Sequence, residues 1–174
     1  MTAWPLPQGT YAVRHRVPGF GGGLVAEGFN VADEHGTDVL LLHYRLHGTT
    51  MTWSIVTPDD TERGRMEHPM MSMHPHFTID RPGQATVTVR KANFALMHET
   101  WRIEGLECGD LDVHGDVANH EFTFTDAQGI TQASASRAYL TLHEGYSVRT
   151  AGLDPLIAIC AAIGLDVTEN SRDH

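Results

Sequence analysis

The sequence DPLIAICAAIGLD at residues 154–166 decides the fold of this chain. Residues 156–165 within it carry no charge and no strongly polar side chain. Asp154 is a good N-cap for a helix, and Pro155 occupies the first helical position, where its missing N–H costs nothing. Gly164 and Asp166 are expected to mark the far end. We therefore predict a helix over residues of about 154–165.

This helix is apolar on every face, whereas a surface helix carries a single apolar stripe. About eleven residues make a helix of roughly 17 Å, which is too short to span a bilayer because spanning takes about 20 apolar residues. The helix must therefore be buried on all sides. The residues before it have to form the wall around it.

A repeat in the preceding residues supplies this wall. An aromatic residue followed two positions later by an aliphatic or aromatic one recurs at spacings of 24, 24, 24, 21 and 24 residues. The leading aromatic residues are Phe29, Trp53, Phe77, Trp101, Phe122 and Tyr146. Turn signals rich in Asp and Gly lie between them, and such a period indicates one supersecondary unit used repeatedly. Two strands per unit predict about twelve strands. Residues 11–17 either add one strand to this number or are already one of the twelve, depending on the register.

The number of strands decides between architectures. About eight strands close into a barrel that side chains alone can fill, whereas around twelve leave a wider interior that needs a plug. We therefore predict an all-β fold with one helix: a closed antiparallel barrel of about twelve strands around the buried C-terminal helix. We expect an irregular lead-in at residues 1–10, a single domain at residues 11–167 and a polar tail at residues 168–174.

Three stretches in the last third of the chain are more specific than the repeat: HEFTF at residues 120–124, ASASR at residues 133–137 and LHEGYSV at residues 142–148. With the helix that follows, they resemble the LURF-one-related family of tubby C-terminal-like domains, which are related in fold to the phospholipid scramblases. The resemblance covers residues of about 10–167. It implies a twelve-stranded barrel around a central C-terminal helix.

The amino-acid composition limits the kinds of partner that this protein can bind. Lys+Arg is 12 against 22 Asp+Glu, and the resulting net charge of −10 argues against nucleic acid and against a basic face for anionic lipid. Tubby-like relatives bind phosphoinositides, but this chain has no basic patch for their headgroups. No signal peptide is recognised at its start. Two cysteines, Cys108 and Cys160, make no disulfide framework, so we expect a cytoplasmic, reduced protein.

The densest histidine cluster is HPMMSMHPH at residues 68–76. Thioether and imidazole ligands suit Cu(I), and the spacing of His74 and His76 puts them on one face of a strand. The alternative is a connection between two units, with methionines packed on the barrel rim. We favour the connection because no cysteine and no convincing further ligand support a metal. We assign no metal, cofactor or catalytic residue.

Three His-Glu pairs begin at His98, His120 and His143, each shortly before an aromatic residue of the repeat. They are candidates for acid–base pairs. Their recurrence with the repeat instead favours a ring of solvent-exposed turn residues. Trp4 lies outside the repeat and is a weak candidate for a partner contact.

These observations predict a non-catalytic binding or scaffolding module with a lipid or a protein as its ligand. Two alternatives stay open. One is an enzyme whose site is formed by loop residues at one barrel mouth, and the other is a purely structural, oligomer-forming protein.

Overall fold

The computed structural model describes residues 4–16, 28–92, 100–137 and 145–170. Within these ranges the chain forms twelve strands followed by one helix. The elements are β1 Thr10–Arg16, β2 Gly28–Ala32, β3 Asp38–His47, β4 Thr50–Val56, β5 Glu62–Pro69, β6 His76–Asp80, β7 Val87–Ala92, β8 Thr100–Glu104, β9 Leu111–Asp116, β10 Glu121–Thr125, β11 Thr131–Ser136, β12 Tyr146–Thr150 and α1 Pro155–Asn170.

Each strand pairs antiparallel with its neighbours in sequence, and β1 pairs with β12 to close the sheet. The predicted closed barrel of about twelve strands around one helix is therefore confirmed. Connections that follow even-numbered strands lie at one end of the barrel, which we call the turn end (residues 33–37, 57–61, 81–86, 105–110 and 126–130). Those that follow odd-numbered strands lie at the loop end (among the described residues, 48–49, 70–75 and 117–120).

The six repeated aromatic residues lie on the six even-numbered strands. Each is at most 4% exposed, and the residue two positions later is buried completely in every case. Successive side chains of a strand point to opposite faces, so both members of each pair enter the barrel together. The prediction that Trp53 and Trp101 lie inside is confirmed, with exposed fractions of 3% and 1%.

The helix α1 fills the interior of the barrel. Residues 156–165 are all buried. Its start is capped as predicted, since the Leu156 N–H donates to Asp154 Oδ1 at 2.9 Å. Arg81 also donates to Asp154 Oδ2 at 2.9 Å, which ties this cap to the β6–β7 turn. Sixteen residues give a length of about 24 Å, which carries the helix from the turn end to the loop end.

The predicted end of the helix at residue 165 is wrong, because α1 continues to Asn170. Gly164 does not terminate it. A Cβ atom at this position would overlap the ring of Phe77, so glycine is required there by packing within the helix. Thr168 is buried, and its hydroxyl donates to the Gly164 carbonyl at 2.7 Å. The described part of the predicted polar tail, residues 168–170, therefore belongs to the helix.

The lead-in is irregular over its described residues 4–9, and it packs across the turn end. Leu6 is buried, and the Gln8 side chain donates to the Leu153 carbonyl at 3.1 Å. Trp4 is 38% exposed, with the Arg63 guanidinium 4.5 Å from its ring centroid. In the part of the chain that the structure describes, no helix is both long and apolar enough to cross a bilayer.

Candidate functional site

A buried carboxylate lies where α1 reaches the loop end. The Asp166 side chain is 2% exposed. His120 Nε2 donates to its Oδ1 at 2.7 Å, and His15 Nε2 lies 3.2 Å from its Oδ2. His15 is near the end of β1, and His120 directly precedes β10. The carboxylate therefore ties the helix to two separate parts of the barrel wall.

The Asp166 carboxylate is ionised near neutral pH. Burial alone would raise its pKa, but the hydrogen bonds and charges of His120 and His15 outweigh burial and lower the pKa to about 2. The Tyr146 ring stacks on the His120 ring at a centroid distance of 4.5 Å. Burial, aided by the charge of Asp166, raises the pKa of Tyr146 well above its usual value, so its phenol is neutral.

Two polar atoms of this cluster are buried without a hydrogen-bond partner: His120 Nδ1 and the Tyr146 hydroxyl. An acid–base role for His120 would need substrate to reach Nδ1, because Nε2 is taken by Asp166. The side chains of His120 and Asp166 are 7% and 2% exposed, whereas His15 is 51% exposed. In this state the cluster is a buried anchor for the helix, with His15 as its solvent-facing member.

The prediction that His120 belongs to a ring of exposed turn residues is wrong, since it is 5% exposed. Its φ of +58° lies in the left-handed region that non-glycine residues rarely adopt. The hydrogen bond to Asp166, 46 residues away, accompanies this inward turn. Glu121 does not pair with His120: its Oε1 accepts from the Ser136 hydroxyl at 2.8 Å. The pairs beginning at His98 and His143 lie outside the described residues.

A second link joins the end of α1 to the wall. Lys91 Nζ on β7 lies 4.0 Å from Glu169 Oε1 and 5.8 Å from the centroid of the Trp101 ring. The Lys91 and Glu169 side chains are 10% and 20% exposed. Neither this ion pair nor the hydrogen bonds at Asp166 have a local sequence signal, because every partner comes from a distant segment.

The other notable feature of the loop end is an exposed surface, which we call the Met/His edge. It comprises Leu46 on the β3–β4 hairpin and residues 70–76 after β5. The exposed fractions are 53% for Leu46, 46% for Met70, 82% for Met71 and 92% for Met73. The Met70 N–H donates to the Thr49 carbonyl at 2.9 Å, so the loop lies beside the hairpin. The expectation that these methionines pack on the barrel rim is therefore wrong.

The three histidines of the predicted cluster have different environments in the structure. His68 is buried with its Nδ1 donating to the His76 carbonyl at 2.8 Å, and burial lowers its pKa. His76 begins β6 and faces outward, since the next residue, Phe77, points into the barrel. His74 lies in the loop before the strand, so the prediction that it shares a strand face with His76 is wrong. Across the described ranges, no three His, Cys, Asp or Glu side chains come together to hold a metal ion.

The Met/His edge and the residues that flank it in the sequence lack carboxylates. Residues 39–58 and 68–79 contain no Asp or Glu, although the chain has 22. The same 32 residues hold five of its twelve histidines and four of its seven methionines. This gap in the acidic residues is the sequence signal that distinguishes the edge, and our sequence analysis missed it. No pattern of periodicity, however, would have shown that the methionines are exposed.

No protein-family model matches the chain, and no curated protein matches it. The barrel and its central helix agree with the fold that the resemblance to the LURF-one-related family implies. A fold alone does not identify a family or a function, so the argument for function has to come from the site.

Proposed function

We propose that this chain is a non-catalytic binding module that docks another protein through the Met/His edge. The observation that carries the proposal is the exposure of four large apolar side chains on the β3–β4 hairpin and the adjacent β5–β6 loop at one barrel end. Contiguous apolar surface on a folded protein marks interaction sites. Methionine suits such a surface because its flexible thioether adapts to the shape of a partner.

The β3–β4 hairpin gives this surface its shape. Leu46 pairs with Met51, and Met51 pairs with His68, so the three form one row on the face that continues the barrel interior. One row deeper, Trp53 and Met66 are buried. The exposed fraction thus rises from 0% at Met66 to 53% at Leu46. An apolar side chain of a partner placed against this row would extend the hydrophobic core outward.

The charge of the chain favours a protein over a lipid surface. A net charge of −10 opposes approach to anionic headgroups. Arg45 is the single Lys or Arg in residues 39–58 and 68–79, so the edge has no cationic cluster to offset that repulsion. The absence of carboxylates from the same residues removes the desolvation cost of covering an ionised acid.

The test is a crosslinking experiment followed by affinity measurement. A photo-crosslinking residue at position 71 is expected to capture a partner in cells, and the purified partner is then titrated against Leu46→Ser and Ile130→Ser variants. Ile130 is a matched control, because it is 58% exposed but lies at the turn end. Leu46→Ser is expected to weaken binding by roughly tenfold, the equivalent of about 1.4 kcal/mol, and Ile130→Ser to leave it unchanged.

Other outcomes would support the alternatives. Equal effects of the two variants would remove the edge from the binding surface. Flotation of the purified chain with neutral or anionic liposomes would indicate a lipid ligand instead. A stable oligomer in sedimentation, disrupted by Leu46→Ser, would indicate that a second copy of this chain covers the edge.

We further propose membership of the LURF-one-related family and a cytoplasmic location. The family proposal is supported by the HEFTF, ASASR and LHEGYSV stretches and by the agreement in fold. The location is supported by two free cysteines. Cys160 is buried inside the helix, and burial raises the pKa of its thiol, so it acts as a small apolar side chain.

A further inference from the structure

The loop between β5 and β6 presents soft donor atoms to solvent. Met71 and Met73 are 82% and 92% exposed, and two residues separate Met73 from the imidazole of His76. Burial of apolar surface does not account for these methionines in the isolated chain. Thioether sulfur is a weak hydrogen-bond acceptor but a good ligand for soft metal ions.

The imidazole of His76 is held in one tautomer by the loop itself. Its Nδ1 lies 2.9 Å from the His74 carbonyl oxygen, which can only accept, so Nδ1 carries the proton. In the neutral ring Nε2 therefore has the free lone pair. A hydrogen bond from the far ring nitrogen to a backbone carbonyl is also the arrangement that orients metal-binding histidines.

The loop is fastened at both ends. The Met70 N–H donates to the Thr49 carbonyl at 2.9 Å, and the Lys91 N–H donates to the Pro75 carbonyl at 3.1 Å. Between these points the Ser72 hydroxyl donates to the His74 carbonyl at 2.8 Å. Less conformational entropy then has to be lost when the loop gathers around an ion.

The donor set selects the metal. Ca²⁺ and Mg²⁺ need oxygen ligands, and residues 68–79 contain no carboxylate. Structural Zn²⁺ sites are built from thiolates, imidazoles and carboxylates, and the loop contributes no cysteine. Two thioethers with one imidazole suit Cu(I).

We infer that residues 70–76 form a Cu(I) site whose ligands are the sulfurs of Met71 and Met73 and Nε2 of His76. The site does not depend on the docking function, because it needs sulfur at positions 71 and 73 and not merely an apolar side chain. Met→Leu substitutions separate the two properties, since leucine keeps the apolar surface and removes the ligand atom.

The experiment is an anaerobic titration of the full chain with Cu(I) in competition with a chromogenic chelator. A Cys108→Ser background is used, because Cys108 is an exposed free thiol and thiolates are soft ligands that compete for Cu(I). One equivalent is expected to bind. The Met71→Leu/Met73→Leu and His76→Gln variants are expected to weaken binding by more than the roughly tenfold that loss of an outer-shell partner costs. Met51→Leu, a partly buried methionine on the neighbouring hairpin, is the control and is expected to have no effect.

X-ray absorption of the loaded protein is expected to show sulfur and nitrogen in the first shell of the ion. Three results would overturn the inference: no binding in the Cys108→Ser background, equal affinity in the Met71→Leu/Met73→Leu variant, or Zn²⁺ bound as tightly as Cu(I). Unfolding by denaturant checks that each variant is folded. Because no partner protein is involved, failure here leaves the docking proposal standing, and failure of docking leaves this site standing.

Discussion

The two ends of the barrel are closed in different ways. At the turn end many contacts lie within single turns: Asp33 Oδ1 accepts from the His35 and Thr37 N–H groups, both at 2.9 Å. Asp126 Oδ1 accepts from the Gln128 and Ile130 N–H groups at 3.0 and 2.9 Å. At the loop end, the Asp166 carboxylate binds histidines 46 and 151 residues away.

The surfaces of the two ends differ as well. Of the six exposed large apolar side chains in the described ranges, four lie together on the Met/His edge at the loop end. The turn end has Ile130 and Trp4, which belong to separate segments. The hydrogen bonds inside a short turn need no other part of the chain, whereas the contacts of the helix terminus depend on the whole fold. The loop end therefore combines the long-range contacts of the helix terminus with the exposed apolar surface that we propose for binding.

The largest effect is expected when the helix α1, which joins the two ends of the barrel, is removed. Deleting residues 154–174 is expected to abolish cooperative folding. Five large side chains of the helix contribute about 7–15 kcal/mol at roughly 1.5–3 kcal/mol each, which matches the ~5–15 kcal/mol net stability of a domain. Thermal unfolding followed by circular dichroism checks this. A truncated chain that still unfolds cooperatively would show that the barrel closes without its central helix.

The next test breaks the long-range contact at the loop end. Asp166→Asn is expected to lower the free energy of unfolding by about 2–3 kcal/mol, because it removes the ionised acceptor of the buried hydrogen bonds from His120 and His15. Urea unfolding at neutral pH measures the loss. Glu169→Gln is the control at the same end: its 4.0 Å pair with Lys91 is partly exposed and is expected to contribute less than about 1 kcal/mol.

The same carboxylate makes stability depend on pH. Its folded-state pKa of about 2 lies below the ordinary value of 3.8, so it stabilises the fold above about pH 4, and this contribution is lost as the pH falls toward 2. The loss is expected to be about 2–3 kcal/mol more in the parent protein than in Asp166→Asn. Parallel acid-unfolding curves for the two proteins would contradict the assignment.

Between the two ends, the packing of Gly164 against Phe77 gives a smaller effect. Gly164→Ala is expected to destabilise the protein by about 1–3 kcal/mol, because the added methyl group overlaps a fully buried ring. Ala161→Gly at another buried helix position is the comparison, with an expected loss of about 1 kcal/mol from helix propensity. Recovery of stability in a Gly164→Ala/Phe77→Leu double variant would confirm that the overlap is the cause.

The smallest effect is expected at the turn end. Asp33→Ala removes two local hydrogen bonds in an exposed turn and is expected to cost about 1 kcal/mol. Asp33→Asn keeps an acceptor oxygen and is expected to recover most of the loss. A cost at Asp33 as large as that at Asp166 would mean that the two ends do not differ in the way their contacts suggest.

Much of the fold could be predicted from the sequence, because it depends on neighbours in the chain. Alternation of period two placed the aromatic pairs on the even strands, and Asp154 with Pro155 marked the start of the helix. The end of the helix could not be predicted in this way. Glycine is typical of a helix terminus, so Gly164 predicts that the helix ends there. Only the ring of Phe77, which β6 places beside it, explains a glycine inside the helix.

The candidate site was less predictable than the fold. His120 belongs to a motif that recurs with the repeat, so the sequence predicted an exposed turn, and the structure buries it against Asp166. Residues 68–76 were recognised as a methionine and histidine cluster, but their exposure was predicted wrongly. Exposure depends on whether another segment covers a side chain, and within the described ranges no segment covers Met71 or Met73.

The sequence by itself determined the strands, the all-round apolar helix and hence the closed barrel, since periodicity and helix capping act over a few residues. Only the tertiary structure decided where the helix ends, which histidines are buried and which methionines remain on the surface. These properties depend on partners contributed by remote strands, and a buried charge such as Asp166 is stable only where those partners meet it.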